Sequence, residues 1–261
     1  MARRILITGG SSGIGAALVR WFVAHGDEVL FTYNRGAERA QALIEELGGA
    51  RLLALAFEQG NWDSHQQLLA ALPGPLDVLI NNAGLGSKTV EAVAEQRHLQ
   101  DQALLQVNAV GLLWLTDALL PAMLARGAGK IINISSVGGG ITQFPGFRIA
   151  DTMSKAAVAA LTRQLAAETA RTGVDVFAIC PGATDTAMFD ASTLSALSPS
   201  ARKAFVAALP KGRLIQPQEI AELAGFLCSD AGAVLHGAVL DASLGLGVGA
   251  GLPSEPTDEA S

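Results

Sequence analysis

The chain has a single tyrosine, Tyr33, in 261 residues, and it lies far upstream of most of the motifs described below. No phenol is therefore available as a proton donor to chemistry built from the middle of the chain. Cysteine is nearly as scarce, since Cys180 and Cys228 are isolated and lack metal-ligand spacing. Two lone thiols exclude a disulfide-stapled scaffold and fit reduced, partly buried residues of a cytoplasmic protein. Charge is thin as well: 16% of residues are charged, the net charge is −6, and the basic residues are scattered. That leaves no electrostatic footprint for nucleic acid, and none is expected as a partner. No run of about 18 uninterrupted apolar residues occurs, so no membrane span is expected. The opening Met1-Ala2-Arg3-Arg4-Ile5-Leu6-Ile7 starts positive, but its apolar run stops at Thr8-Gly9-Gly10, too short for a signal peptide. His25, His65, His98 and His236 stand in separate segments without metal-ligand spacing and read as surface or cap residues, so no metal site is expected.

What is present is apolar, with 50% hydrophobic residues and short aliphatic runs alternating with longer Ala/Leu-rich stretches. Strands are predicted at Ile5-Leu6-Ile7, Glu28–Phe31, Leu52–Leu55, Val78-Leu79-Ile80, Lys130–Ile134, Val174–Ile179 and Ala238-Val239-Leu240. Continuous apolar strands separated by helices imply a parallel sheet covered on both faces. The fold class expected is α/β, a single-domain Rossmann-type doubly wound sheet of about seven parallel strands. Such a sheet binds its ligand at the carboxyl edge, where strand order reverses. The domain is expected to span 1–252, with a substrate-loop segment at about 187–213, rich in Ser, Ala and Pro, before a helix beginning near Pro217. The polar, acidic stretch 253–261 is expected to be a disordered tail.

The first strand runs directly into Thr8-Gly9-Gly10-Ser11-Ser12-Gly13-Ile14-Gly15, which opens a helix. Glycines there allow a tight turn and a close approach to a pyrophosphate, and a helix N-terminus offers free N–H groups. This Thr-Gly-x-x-x-Gly-x-Gly spacing is followed by Asn81-Asn82-Ala83-Gly84, Asn108 in Val107-Asn108-Ala109-Val110-Gly111, and Asn133-Ile134-Ser135-Ser136. Ser154-Lys155-Ala156 and Pro181-Gly182-Ala183-Thr184-Asp185-Thr186 complete the series. The order of these motifs over residues 3–245 resembles the short-chain dehydrogenase/reductase family. The resemblance implies a nicotinamide cofactor held by Gly9, Ser11, Ser12, Gly13, Ile14, Gly15, Asn34, Arg35, Phe57, Glu58, Asn82, Ala83, Gly84, Lys155, Pro181, Gly182, Thr184 and Thr186. After the second strand comes Thr32-Tyr33-Asn34-Arg35, with no acid at the strand end for a ribose 2′-hydroxyl and with an arginine able to fork a 2′-phosphate. NADPH is therefore expected, with NADH as the alternative. Glu58 stands where the family usually carries an aspartate that contacts adenine.

In the family, serine, tyrosine and lysine, with a supporting asparagine, reduce a carbonyl. Carried over by position, Asn108, Ser136 and Lys155 match as catalytic residues, with Ser135 as the fallback for the serine. The loop from Gly138 to Ala150 is about two residues longer than in common members, by alignment to the family pattern. Asp151 stands where the tyrosine would be, four residues before Lys155 and so on the same helix face. A phenol of pKa near 10 is a sensible donor to an alkoxide, whereas a carboxyl near ~3.9 beside a lysine is ionised at neutral pH unless burial raises it. An ionised aspartate cannot donate to a ketone oxygen, but it can stabilise a cation. Reduction of an imine or iminium is favoured over a ketone. A non-redox reaction with Asp151 as base, such as an isomerisation or cyclisation, and a non-catalytic cofactor-binding role stay open. Phe144, Phe147, Trp114 and the pair Met188-Phe189 read as core or pocket lining, with the phenylalanines and Met188 near the mouth. The substrate expected is small and largely apolar, a cyclic amine or imine among the options. Arg148, three residues before Asp151, could pair with it or meet an anionic substrate, although a loop charge is more often solvated. The Ala/Leu-rich helices at about 99–126 and 155–172 suit pairing across a two-fold axis, so a homodimer or homotetramer is expected.

Overall fold

The computed structural model describes residues 2–145 and 147–248. Seven strands form one parallel sheet: β1 (Arg4–Ile7), β2 (Glu28–Tyr33), β3 (Leu52–Ala56), β4 (Val78–Asn81), β5 (Gly129–Ile134), β6 (Val174–Pro181) and β7 (Val239–Ala242). Their order is β3-β2-β1-β4-β5-β6-β7, so the chain reverses direction across the sheet between β1 and β4. The expected stretch 253–261 lies outside the described residues.

Alternation along β1 shows how the two faces are filled. Ile5 and Ile7 point into a core shared with Leu18, Val19 and Phe22 of α1 (Gly13–Ala24), Leu43 of α2 (Ala37–Leu47) and Ile220 and Leu227 of α10 (Pro217–Leu227). Leu6, between them, faces the other layer, with Leu68 of α3 (Trp62–Ala71), Leu115 and Met123 of α5 (Leu112–Arg126) and Leu165 of α7 (Ile149–Thr169). Fully burying one such side chain is worth roughly 1.5–3 kcal/mol, so both layers must be filled for the sheet to be stable.

Local chemistry sets the helix ends. Asn61 caps α3 by accepting from the N–H groups of Asp63 and Ser64. Pro217 begins α10, where Gln216 and Glu219 form a reciprocal capping box. A left-handed glycine closes α5 at Gly127, φ 66°. Between α4 (Arg97–Leu105) and α5 the helix continues through a π-helical turn, Gln106–Gly111. The whole run Arg97–Arg126 is long and apolar enough, by length and composition alone, to cross a membrane. Its Leu104, Leu112, Leu115, Leu119 and Met123 are buried within this fold.

Between β5 and α7 lies α6 (Val137–Gly140), a single turn whose Gly139 has φ 94°. The segment 187–213 folds as a short turn, α8 (Ala187–Phe189), a π-helical turn, α9 (Pro199–Ala208) and a 3-10 turn.

Candidate active site

The switch point between β1 and β4 carries the glycine-rich turn. Thr8 Oγ1 accepts from the N–H groups of Asn82 and Ala83, and Asn82 Nδ2 donates to Thr8 O (2.9 Å) and Gly9 O (3.2 Å). The two adjacent loops are thus welded together. A Cβ on Gly15 would lie 2.1 Å from Gly9 O, so this close approach admits only glycine. Ser12 is the N-cap of α1, and its side chain makes no cap bond, which leaves the first-turn N–H groups without a side-chain partner. Thr186 from the loop after β6 closes the other side, its Cγ2 3.2 Å from where a Gly13 Cβ would be. This cradle fits an anionic diphosphate.

The remaining cofactor candidates divide. Gly84 lies against Asn108 and Lys155. Gly182 packs against Ser243 and donates its N–H to Ala242 O. Thr184 Oγ1 donates to Gly182 O, and Thr186 Oγ1 caps α8, so both hydroxyls serve their own turns. The Phe57 ring is buried edge-on against His65 and offers only its backbone to a ligand. Glu58 is exposed, and its N–H donates to Ser64 Oγ. Asn34 and Arg35 are exposed at the end of β2, and Arg35 Nη1 donates to Ala92 O at 3.0 Å. The sequence reading missed Arg39. A Cβ on Gly36 would lie 2.7 Å from Ser11 Oγ and 2.8 Å from Arg39 Nη2, so a second guanidinium borders Ser11. Its spacing four residues after Arg35, at the start of a helix, was the available signal.

The reaction end is assembled from β4, β5, the π-helical turn and α7. Asp151 lies in the first turn of α7 and Lys155 one turn later. Lys155 Nζ forms no hydrogen bond or ion pair among the described residues, and burial pushes its ammonium pKa down, partly offset by the nearby Asp151 carboxylate. The two i,i+4 partners stay apart, with no ion pair within 4.0 Å. Asp151 Oδ2 instead accepts from Ser87 Oγ at 2.6 Å. No spacing marks Ser87 in the sequence, because it comes from the loop after β4.

Asn108 is buried in the π-helical turn with its amide fully engaged. Its Oδ1 accepts from Leu85 N (2.7 Å), and its Nδ2 donates to Leu85 O (2.9 Å) and Ser154 Oγ (3.0 Å). It is a clamp between the β4 loop and α7, with no amide hydrogen to spare for a substrate. Ser135 Oγ donates to Lys155 O at 2.8 Å, whereas Ser136 Oγ only accepts, from Gly138 N, leaving its hydroxyl proton available. Below them the buried Cys180 thiol has its pKa pushed up to about 11 by burial and is neutral.

Two side-chain expectations need correction. Arg148 does not meet Asp151; it is the N-cap of α7 and pairs with Asp101 (2.7 Å) and Gln100 (2.8 Å) of α4. His65 is neither surface nor cap but buried, against Phe57, Trp62 and Trp114, with Nε2 2.8 Å from Gln59 O. Trp114, read as core or pocket lining, packs in that same cluster against Trp62 and His65. The mouth holds Met188, 3.3 Å from the Gly86 Cβ position, and the tilted pair Phe144 and Phe147, 5.1 Å apart. A cavity of about 410 Å³ lined by Ala2, Glu28, Val29 and Arg51 sits at the other end of the strands and plays no part in this site.

Among known proteins, the short chain dehydrogenase family pattern matches residues 3–195. Oxidoreductase UcpA of Salmonella typhimurium is 36% identical over 244 residues, covering 89% of either chain. Acetoacetyl-CoA reductase of Rhizobium meliloti is 33% identical, over 94% of this chain and 98% of that one. Among solved structures, an actinorhodin polyketide ketoreductase variant with NADPH superposes with a TM-score of 0.84 at 32% identity, covering 95% and 98% of the two chains. The chain belongs to the short-chain dehydrogenase family, and with it to a class of oxidoreductases.

Proposed function

We propose that this protein is an NADPH-dependent reductase that delivers hydride to the carbon of a C=N group in a small, largely apolar substrate, with Asp151 in the place the family gives to tyrosine. The observation that carries the reading is the Asp151 carboxylate, held by Ser87 and left unpaired by Lys155. When bound, the dinucleotide supplies the hydride. Lys155 holds its nicotinamide ribose, and the α1 N-terminus with Gly13 and Gly15 cradles its diphosphate. Arg39 borders Ser11 and Arg35 stands exposed at the end of β2, so a guanidinium is at hand to fork a 2′-phosphate, which favours NADPH over NADH. Asp151 faces the cationic nitrogen of an iminium; the hydride adds to carbon, the π pair moves to nitrogen, and no proton is required. Met188, Phe144 and Phe147 shield the reacting group from water. The neutral, buried thiols suit a cytoplasmic setting. Exposed Ile149 and Met153 on α7 suit a homodimer or homotetramer.

A second reading is kept by one observation, the available hydroxyl proton of Ser136, which could polarise a carbonyl oxygen. The relatives are named as reductases of acetoacetyl-CoA and of a polyketide ketone. On that reading water must supply the final proton.

The test is Asp151→Asn. Opposite charges about 4 Å apart in an effective dielectric near 20 attract by about 4 kcal/mol. Allowing for partial solvation, kcat/KM for a cyclic imine should fall roughly 100-fold while NADPH affinity holds. Unchanged turnover would remove Asp151 from the mechanism.

A further inference from the structure

We infer that Ser87 is the positioning residue of this site: it keeps Asp151 from collapsing onto Lys155, so that the carboxylate stays open to a substrate cation and the ammonium stays open to the cofactor ribose. The inference rests on the proposed role of Asp151 as the anchor of that cation.

The argument starts from helix geometry. An acid and a lysine at i and i+4 are neighbours on a helix surface and ordinarily pair. Here they sit in the first two turns of α7, yet no ion pair forms within 4.0 Å. The carboxylate is instead taken by a hydroxyl 64 residues away in the chain, Ser87 Oγ, at 2.6 Å. That distance is typical of an O–H donor to an ionised oxygen, about twice as strong as a neutral pair. Only one carboxylate oxygen is used, because Oδ1 of Asp151 has no partner among the described residues. Ser87 is itself held in place. Gly86 N donates to Thr89 Oγ1 and fixes the turn, while Asn108 grips Leu85 at both its N–H and its carbonyl. The same Asn108 reaches Ser154 Oγ, and Ser154 Oγ donates to Asp151 O. The hydroxyl donor and the carboxylate acceptor are thus tied to one clamp, which sets their distance.

Without Ser87, Asp151 is free to turn toward Lys155. Two charges that serve two ligands would then neutralise each other. The groups facing Lys155 are Asp151 on its own helix, the Cys180 thiol on β6, and the uncharged Asn108 and Gly84. The thiol, pushed up to about 11, stays neutral through most of the range in which the lysine titrates.

The experiment compares Ser87→Ala, Ser87→Thr and Asp151→Asn with the full-length protein. Steady-state kinetics use NADPH and a cyclic imine; Lys155 titration is followed by NMR of 13C-labelled lysine, assigned with Lys155→Arg. In Ser87→Ala the imine KM should rise about tenfold, the worth of one charge-assisted hydrogen bond, with kcat changed less than about threefold. Lys155 should titrate at higher pH than in the wild type, and Ser87→Thr should restore both values. If Ser87→Ala matches the wild type in KM and in Lys155 titration while Asp151→Asn is crippled, the positioning role is overturned and the anchoring role of Asp151 stands. If no imine is reduced by the wild type, the function reading fails, and the Lys155 titration alone decides for or against Ser87.

Discussion

Replacing Gly15 with alanine tests the cofactor cradle at its tightest point. The added Cβ would lie 2.1 Å from Gly9 O and 2.7 Å from Asn82 Nδ2. The first of these is backbone, so it cannot swing aside as a side chain would. The second is the amide that donates to Thr8 O and Gly9 O and welds the β1 and β4 loops. To reach ordinary van der Waals separation the turn must open by more than about 1 Å, and overpacking of this kind typically costs about 1–3 kcal/mol. Because the strain falls on the N–H groups proposed to cradle the diphosphate, most of it should appear in binding. At about 1.4 kcal/mol per decade, the NADPH dissociation constant should rise roughly 30-fold. Titration of NADPH fluorescence would measure it, alongside thermal unfolding, where the remaining share of about 1 kcal/mol should lower the melting temperature by about 2–4 °C. A dissociation constant within about threefold of the wild type, with an unchanged melting temperature, would refute the reasoning. It would mean that the turn yields harmlessly and that the diphosphate lies elsewhere.

Two further predictions follow from single side chains. Arg39→Ala should weaken NADPH binding by about tenfold and leave NADH within about twofold, as expected for loss of one charge-assisted bond to phosphate; equal losses for both cofactors would remove Arg39 from the 2′-phosphate. His65 is buried, and desolvation lowers its pKa from 6.5, so the unfolded chain binds the proton first as pH falls. Its contribution to stability is therefore complete above about pH 6.5 and is lost below it. Urea midpoints between pH 7.5 and pH 5 should fall less steeply in His65→Gln than in the wild type, and parallel curves would refute this assignment.

Much of this architecture was readable from local patterns. The strands announced themselves because a parallel sheet covered on both faces needs unbroken apolar runs, and Val78-Leu79-Ile80 or Ile131-Ile132 can hardly be anything else. The glycine-rich turn and the Asp151/Lys155 spacing were legible for the same reason: each is contained within a few residues, and its geometry follows from one turn or one helix face. What escaped were contacts made only by the tertiary fold. Arg148 looked free beside Asp151, yet Asp101, 47 residues away, takes it. Ser87 carries no motif, and only the approach of the β4 loop to α7 gives it meaning. His65 looked like a helix-surface residue, since nothing in the sequence states that Trp62 and Trp114 close over it. Asn108 was identified as a site residue from its motif, but its role as a clamp depends on a π-helical turn that residue pattern does not announce.

The central claim is that the charge of Asp151 selects a cationic C=N substrate. The most direct measurement is NADPH consumption at neutral pH with matched panels of cyclic imines and the corresponding cyclic ketones. The account predicts turnover of imines with little or none of ketones. Turnover of the ketones with silence on the imines would contradict it.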